Sequence, residues 1–128
     1  MMPKQSLNSF EELDCYKECR TLRIRISEVQ RKWPSEEKYR LSDQILRSSR
    51  SVTANIAEGF GRHHHQENLQ YCRQARGSLT ETLEHLITAK DEKLIVDDGF
   101  ASLREQLELC WRLLNGYIGY LQKAAKQQ

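Results

Sequence analysis

Between Phe100 and Leu121 an apolar residue returns every third or fourth position without a miss: Phe100, Leu103, Leu107, Cys110, Leu114, Tyr117 and Leu121. This 3-4-3-4-3-4 spacing keeps one face of an α-helix apolar for about six turns, whereas on a strand it would scatter over both faces. Three other segments repeat the pattern. Cys15, Cys19, Leu22, Ile26, Val29 and Trp33 form one seam, and Leu41, Ile45, Ser48, Val52 and Ile56 a second. Leu69, Cys72, Leu79, Leu83 and Leu86 form a third, with Arg76 inside the stripe. A chain with four such stripes, broken by only two prolines and six glycines, is all-α.

The punctuation sets helices at about 9–33, 36–58, 66–90 and 98–125. Asn8 or Ser9 caps the first, and Pro34 stops it by removing a backbone donor and disfavouring helix before it. Ser35 caps the second, with Glu36 and Glu37 in its first turn, and Gly59 ends it by taking positive φ. Asp97 or Asp98 caps the fourth. Short connections between helices of this length predict one domain over residues 1–128, an antiparallel up-down-up-down four-helix bundle with coiled-coil-like crossings.

Charge limits the function. The chain carries 20 basic and 18 acidic residues, a net +2, too even to coat nucleic acid by charge alone. A local basic patch remains open, because residues 1–50 hold 11 basic against 8 acidic groups. No long apolar run predicts a membrane span, and Met1 to Ser9 has no signal-peptide core. The expectation is a cytoplasmic protein without a membrane partner, its four cysteines reduced. All four cysteines lie on seams and read as small buried apolar side chains, since a zinc or redox pair more often has Cys-x-x-Cys spacing.

The last helix holds more apolar surface than one bundle needs. Leu109, Leu113, Gly116 and Tyr120 make a second stripe, roughly 110° around the helix from the first. Gly116 and Gly119 each cost about 1 kcal/mol of helix propensity and persist where another backbone comes close. Phe10, Leu13 and Ile24 make a weaker second stripe on the first helix. A helix apolar on two faces is buried on two faces, which predicts a homo-oligomer. The other reading is a single wide core stripe.

The stretch SVTANIAEGFGRHHHQ, residues 51–66, places Ser, Thr and Asn on inner turns and then breaks at a Gly-Phe-Gly-Arg corner. Gln44, Ser51 and Asn55 flank the apolar seam there, with Arg47 and Glu58 further round. Ser48, Ser49, Ser51 and Ala54 are small enough to admit another helix. The expected arrangement is a polar layer in which Arg47 and Arg76 meet Glu58, Asn55 or Glu81, fixing helix pairing or an interface. No nucleophile and base are spaced for catalysis, so no enzyme, cofactor or metal is expected.

These residues also carry a resemblance. LSDQILRSSRSVTANIAEGFGR (Leu41–Arg62) and ARGSLTETLEHLITA (Ala75–Ala89) resemble the four-helix-bundle family of proteins encoded in 23S rRNA intervening sequences. That family includes the accessory variability determinant of diversity-generating retroelements. The likeness extends to FEELDCYKECRTLRIRISEV and the Trp-Pro stop, nearly the whole chain. It implies a ring-like homopentamer and, for the retroelement branch, a basic barrel that binds nucleic acid and partners a reverse transcriptase. Gln44, Arg47, Ser51, Asn55, Glu58, Gly59, Gly61, Arg62, Arg76, Gly77, Ser78 and Glu81 match the motif and are implied determinants of fold and assembly. The charge of +2 departs from strongly basic retroelement members.

Two smaller clusters bear on partners. His63, His64 and His65 follow Arg62 in the loop after the second helix. They read either as a solvated loop tip or, multiplied around a ring, as a phosphate-contacting or metal-binding rim. Arg20, Arg23, Arg25, Arg31 and Lys32 are the densest basic cluster, with Glu12, Glu18 and Glu28 interleaved. They read as a solvated ion-paired face or a contact for RNA, DNA or a protein partner. The sequence therefore predicts a non-enzymatic homopentameric scaffold for nucleic acid or a nucleic-acid-processing partner such as a reverse transcriptase. The alternative is a protein interaction module with no nucleic-acid contact.

Overall fold

The computed structural model describes residues 9–127. Among them lie four α-helices, two 3-10 turns and no strand. α1 spans Asp14–Gln30, α2 Leu41–Phe60, α3 His65–Asp91 and α4 Asp97–Lys126. Each helix packs on the next and α4 returns to α1, closing a four-helix bundle. Cross-helix pairs fix the directions. Between α2 and α3, Ser48 meets Thr82, Ser51 meets Ser78, and Gly59 meets Asn68. Between α1 and α4, Glu18 meets Gln106 and Arg25 meets Ser102. One number falls as the other rises, so both pairs are antiparallel.

The seams face inward. Cys15, Cys19, Leu22 and Ile26 of α1 share the core with Ile45, Val52 and Ile56 of α2, Leu69, Cys72, Leu79 and Leu86 of α3, and Leu103, Leu107, Cys110, Leu114 and Leu121 of α4. Each fully buried Leu or Ile stabilises the fold by about 1.5–3 kcal/mol. Val29, Leu83 and Tyr117 stand half-buried at the seam's edges, and Ile118 fills the core beside Tyr117.

The chain breaks differently from expectation at each end of the seams. Ser9 accepts the Glu11 N–H at 3.1 Å, but it caps only a 3-10 turn over Phe10–Glu12. Leu13 then turns its buried side chain inward with ψ 130, so α1 starts afresh at Asp14. The expected second helix from Glu36 is split: Ser35–Glu37 is a 3-10 turn, and Arg40 (φ −119, ψ −113) leaves helical geometry before α2 begins. The Glu37 carboxylate, not Ser35, meets the Leu41 N–H at 3.4 Å.

Gly59 does not end α2 by positive φ. The helix runs through it to Phe60, and Gly61 closes it with φ −75. Gly59 is instead a point of close approach: a Cβ there would fall 2.6 Å from Asn68 Oδ1 and 2.9 Å from Tyr71 Cβ on α3. Among the described residues the left-handed one is Lys93, φ 63, after α3. Its N–H bonds to Lys90 O and the next N–H, from Leu94, to Ala89 O, a Schellman closure. Val96 stands at the N-cap of α4, and Asp97 and Asp98 occupy its first turn, where the helix dipole favours acids. Among the described residues no helix is long and apolar enough to cross a membrane.

Candidate functional site

A belt of uncharged hydrogen bonds joins α2 and α3. The Ser51 and Ser78 hydroxyls lie 2.9 Å apart. Asn55 Nδ2 donates to Ser51 O at 2.9 Å and to its Oγ at 3.1 Å. The Thr82 hydroxyl, fully buried, lies 2.9 Å from Ser48 Oγ and 2.8 Å from Ser78 O. Ser48, Ser49 and Thr53 return their own hydroxyls to the carbonyls of Ile45, Leu46 and Arg50. Small hydroxyl residues at these spacings let two helices approach closely while every oxygen keeps a partner. In these bonds the hydroxyls meet other hydroxyls, carbonyls and the Asn55 amide, so the belt holds helices together.

The charged layer expected from Arg47, Arg76, Glu58, Asn55 and Glu81 does not form within the chain. Arg76 is half-buried and donates to Asn115 Oδ1 on α4 at 2.9 Å. Arg47 is exposed and reaches back to Asp43 at 3.6 Å. Glu58, also exposed, pairs with Arg62 at 2.8 Å, and Glu81 pairs with His85 at 3.1 Å. Gln44 is exposed. The reason is angular. Arg47, Glu58 and Glu81 stand on the solvent edges of their helices, where the nearest opposite group is one turn away on the same helix. His85, off the expected seam, is buried; its spacing of four from Glu81 was the signal for the pair.

On the outer face of α4, Leu109 and Leu113 are half-buried, Gly116 is exposed, and Tyr120 is 59% exposed. A Cβ at Gly116 or Gly119 would meet nothing within 4 Å. Nothing in the same chain therefore requires glycine at either position.

Where α3 begins and α4 finishes, aromatic and basic groups gather. His63 and His64 are exposed in the α2–α3 connection, and His65 is the first residue of α3. The His65 ring stands edge-on to Tyr120, centroids 6.3 Å apart, and Tyr120 stacks on Tyr117 at 6.1 Å and 14°. Asn68 Nδ2 donates to the Tyr117 hydroxyl at 3.0 Å. His65, Tyr120, Lys123, Ala124 and Gln127 line an open cleft of about 460 Å³. Arg62 lies over the Tyr71 ring at 4.9 Å and donates to its hydroxyl at 2.7 Å. Neither the Tyr71 partner of Arg62 nor the Asn68–Tyr117 bond was foreseen, because both cross between elements.

Of the basic cluster on α1, Arg20, Arg31 and Lys32 are exposed and Arg23 half-buried, its Nε buried without a hydrogen-bond partner. Arg25 donates to Ser102 at 2.7 Å, and the Glu18 carboxylate accepts from Gln106 at 2.9 Å, so part of this face ties α1 to α4. The cluster does not converge with the histidine loop, since Arg31 and Lys32 follow the end of α1 beside the start of α2.

All four cysteines are buried free thiols. Burial pushes Cys15 and Cys72 up to about 12, and the Cys110 thiol together with burial pushes Cys19 further up. Cys15, Cys19 and Cys72 are therefore protonated and unreactive at neutral pH. Among the described residues no group of three or more His, Cys, Asp or Glu side chains is arranged to hold a metal ion.

The family model for the 23S rRNA-intervening sequence protein matches residues 11–116. A solved protein of unknown function from the S23 ribosomal protein family of Bacteroides thetaiotaomicron is 20% identical, with a TM-score of 0.73 over 81% of this chain and 97% of that one. No curated protein matches the chain.

Proposed function

The chain belongs to the 23S rRNA-intervening sequence protein family, and from that premise we propose that it is a non-enzymatic scaffold. Copies of it assemble into a ring, a homopentamer, that holds nucleic acid or a nucleic-acid-processing partner such as a reverse transcriptase in the cytoplasm.

The observation that carries this reading is the outer face of α4. Leu109 and Leu113 are half-buried beside exposed Gly116, and Tyr120 stands at the end of the same stripe. Two glycines inside a helix cost about 1 kcal/mol each without any neighbour in their own chain to justify them. A second copy laid along this face would cover the leucines and bring a backbone against the glycines. The uncharged belt between α2 and α3 supports the scaffold role, because it organises helices rather than reacting atoms.

Sedimentation of the purified protein tests the assembly: a ring-sized species is expected at micromolar concentration, and a monomer there overturns it. A salt-dependent mobility shift tests the ligand, with log affinity expected to fall linearly with log salt. The near-balance of charge, +2 in 128 residues, favours a second reading, an interaction module that does not touch nucleic acid. Absence of any shift at low salt would decide for it.

A further inference from the structure

We propose that the end of the bundle where α3 begins and α4 finishes seats single-stranded RNA, with the open face of Tyr120 stacking a base and Lys123 meeting the phosphate. This rests on the nucleic-acid reading above and gives it a place. It also takes Tyr120 out of the subunit contact, which then rests on Leu109, Leu113 and Gly116.

The platform is built in advance. Tyr120 is 59% exposed, yet its ring is backed by Tyr117 at 14° and flanked by the His65 edge. Tyr117 is in turn held by Asn68. A ring fixed on one side and open on the other stacks a base with little ordering cost. The cleft beside it carries Lys123 for a phosphate, and Gln127, whose amide both donates and accepts, for a ribose 2′-hydroxyl.

Along α3 and α4, charge favours this end. From Leu109 to Gln127 there is no acidic residue, while Arg112, Lys123 and Lys126 are basic. From Gly59 to Thr80 three arginines face one acid, Glu67. The end of α3 and the first half of α4, residues 81–108, hold 8 acidic residues against 3 basic ones, offset at that end of the bundle by Arg31, Lys32, Lys38 and Arg40. A duplex hides its base faces from Tyr120, so the single strand is the form that fits.

The experiment is fluorescence anisotropy of a labelled single-stranded RNA decamer with the full chain, at about 50 and 200 mM salt. Tyr120→Ala is expected to weaken binding by about 5- to 150-fold, the worth of one stacked base, while Tyr120→Phe keeps it. Lys123→Ala is expected to lower the salt slope by about 1. Unchanged binding by Tyr120→Ala would overturn the site and leave the nucleic-acid reading standing. No binding of the decamer by the unaltered protein at the lower salt would overturn that reading and the site with it. Equal affinity for an abasic strand or for DNA of the same sequence would overturn the stacking or the choice of RNA. A changed sedimentation of unliganded Tyr120→Ala would return this residue to the subunit contact and overturn the seat.

Discussion

Gly59 on α2 and Asn68 on α3 approach so closely that a Cβ on the glycine would fall 2.6 Å from Asn68 Oδ1 and 3.0 Å from Asn68 O. The amide is not free to swing aside. Its Nδ2 is held by the Tyr117 hydroxyl at 3.0 Å, and its Oδ1 accepts from Cys72 Sγ at 3.4 Å. Gly59→Ala gains about 1 kcal/mol of helix propensity but must push two helices apart. The expected outcome is a net loss of about 1–3 kcal/mol in urea unfolding. A variant as stable as the parent would mean that the contact is looser than described.

Gly116 is the opposite case, a glycine with open space around it in its own chain. In a lone subunit Gly116→Ala would raise stability by about 1 kcal/mol. In the assembled ring it is expected to weaken association, seen as smaller species in sedimentation on dilution. The sign separates the two states.

Lys93 holds φ 63, a conformation that costs a side chain about 1 kcal/mol and glycine almost nothing. Lys93→Gly should keep the Schellman bonds of Lys93 and Leu94 and raise the urea midpoint, a gain of about 0.5–1 kcal/mol. A fall in the midpoint would show that the lysine side chain contributes more than its backbone loses.

Thr82 lies fully buried between Ser48 and Ser78. Thr82→Val removes the hydroxyl and leaves Ser48 Oγ one partner short, an expected loss of about 1–2 kcal/mol. Arg76→Ala, by contrast, breaks a half-buried bond to a neutral amide rather than a buried ion pair, and the expected loss is about 1 kcal/mol. Equal, large losses for the two would restore the charged layer that the structure replaces.

The thiols set an alkaline limit. Burial raises Cys15 and Cys72 from 9.0 to about 12, and Tyr117 from 10.0 to about 12. The folded state therefore keeps protons that the unfolded chain releases. This stability is complete below pH 9.0 and is lost as pH climbs toward about 12. Urea midpoints at pH 8, 9, 10 and 11 should be level at first and then fall. Ellman's reagent should react with the thiols at neutral pH only when denaturant is added.

Much of this was written in spacing. Cys15, Leu22, Ile45, Ile56, Leu79, Leu107 and Leu114 are buried where a 3.6-residue period put them, because burial in a bundle depends mainly on angle around a helix. Pairing along one helix left a signal in spacing too, but the expected partners of Glu58 and Glu81 were Arg47 and Arg76, and they are instead Arg62 and His85, four residues away. What spacing could not supply was any contact that crosses between helices. Asn115 as the partner of Arg76, Tyr117 as that of Asn68, and the clash that demands Gly59 depend on the height at which one helix stands against another. The interrupted starts at Leu13 and Arg40 belong to the same class, since packing against neighbours overrides local helix preference there.

The sequence by itself determined the four helices, the faces they bury and the surplus apolar stripe of α4, because each is a property of one helix repeating with its own period. Tertiary structure alone decided which polar groups meet across helices and that tyrosine, histidine and lysine gather where α3 begins and α4 finishes. Those outcomes depend on axial register and chain direction, and no period within a single helix encodes either.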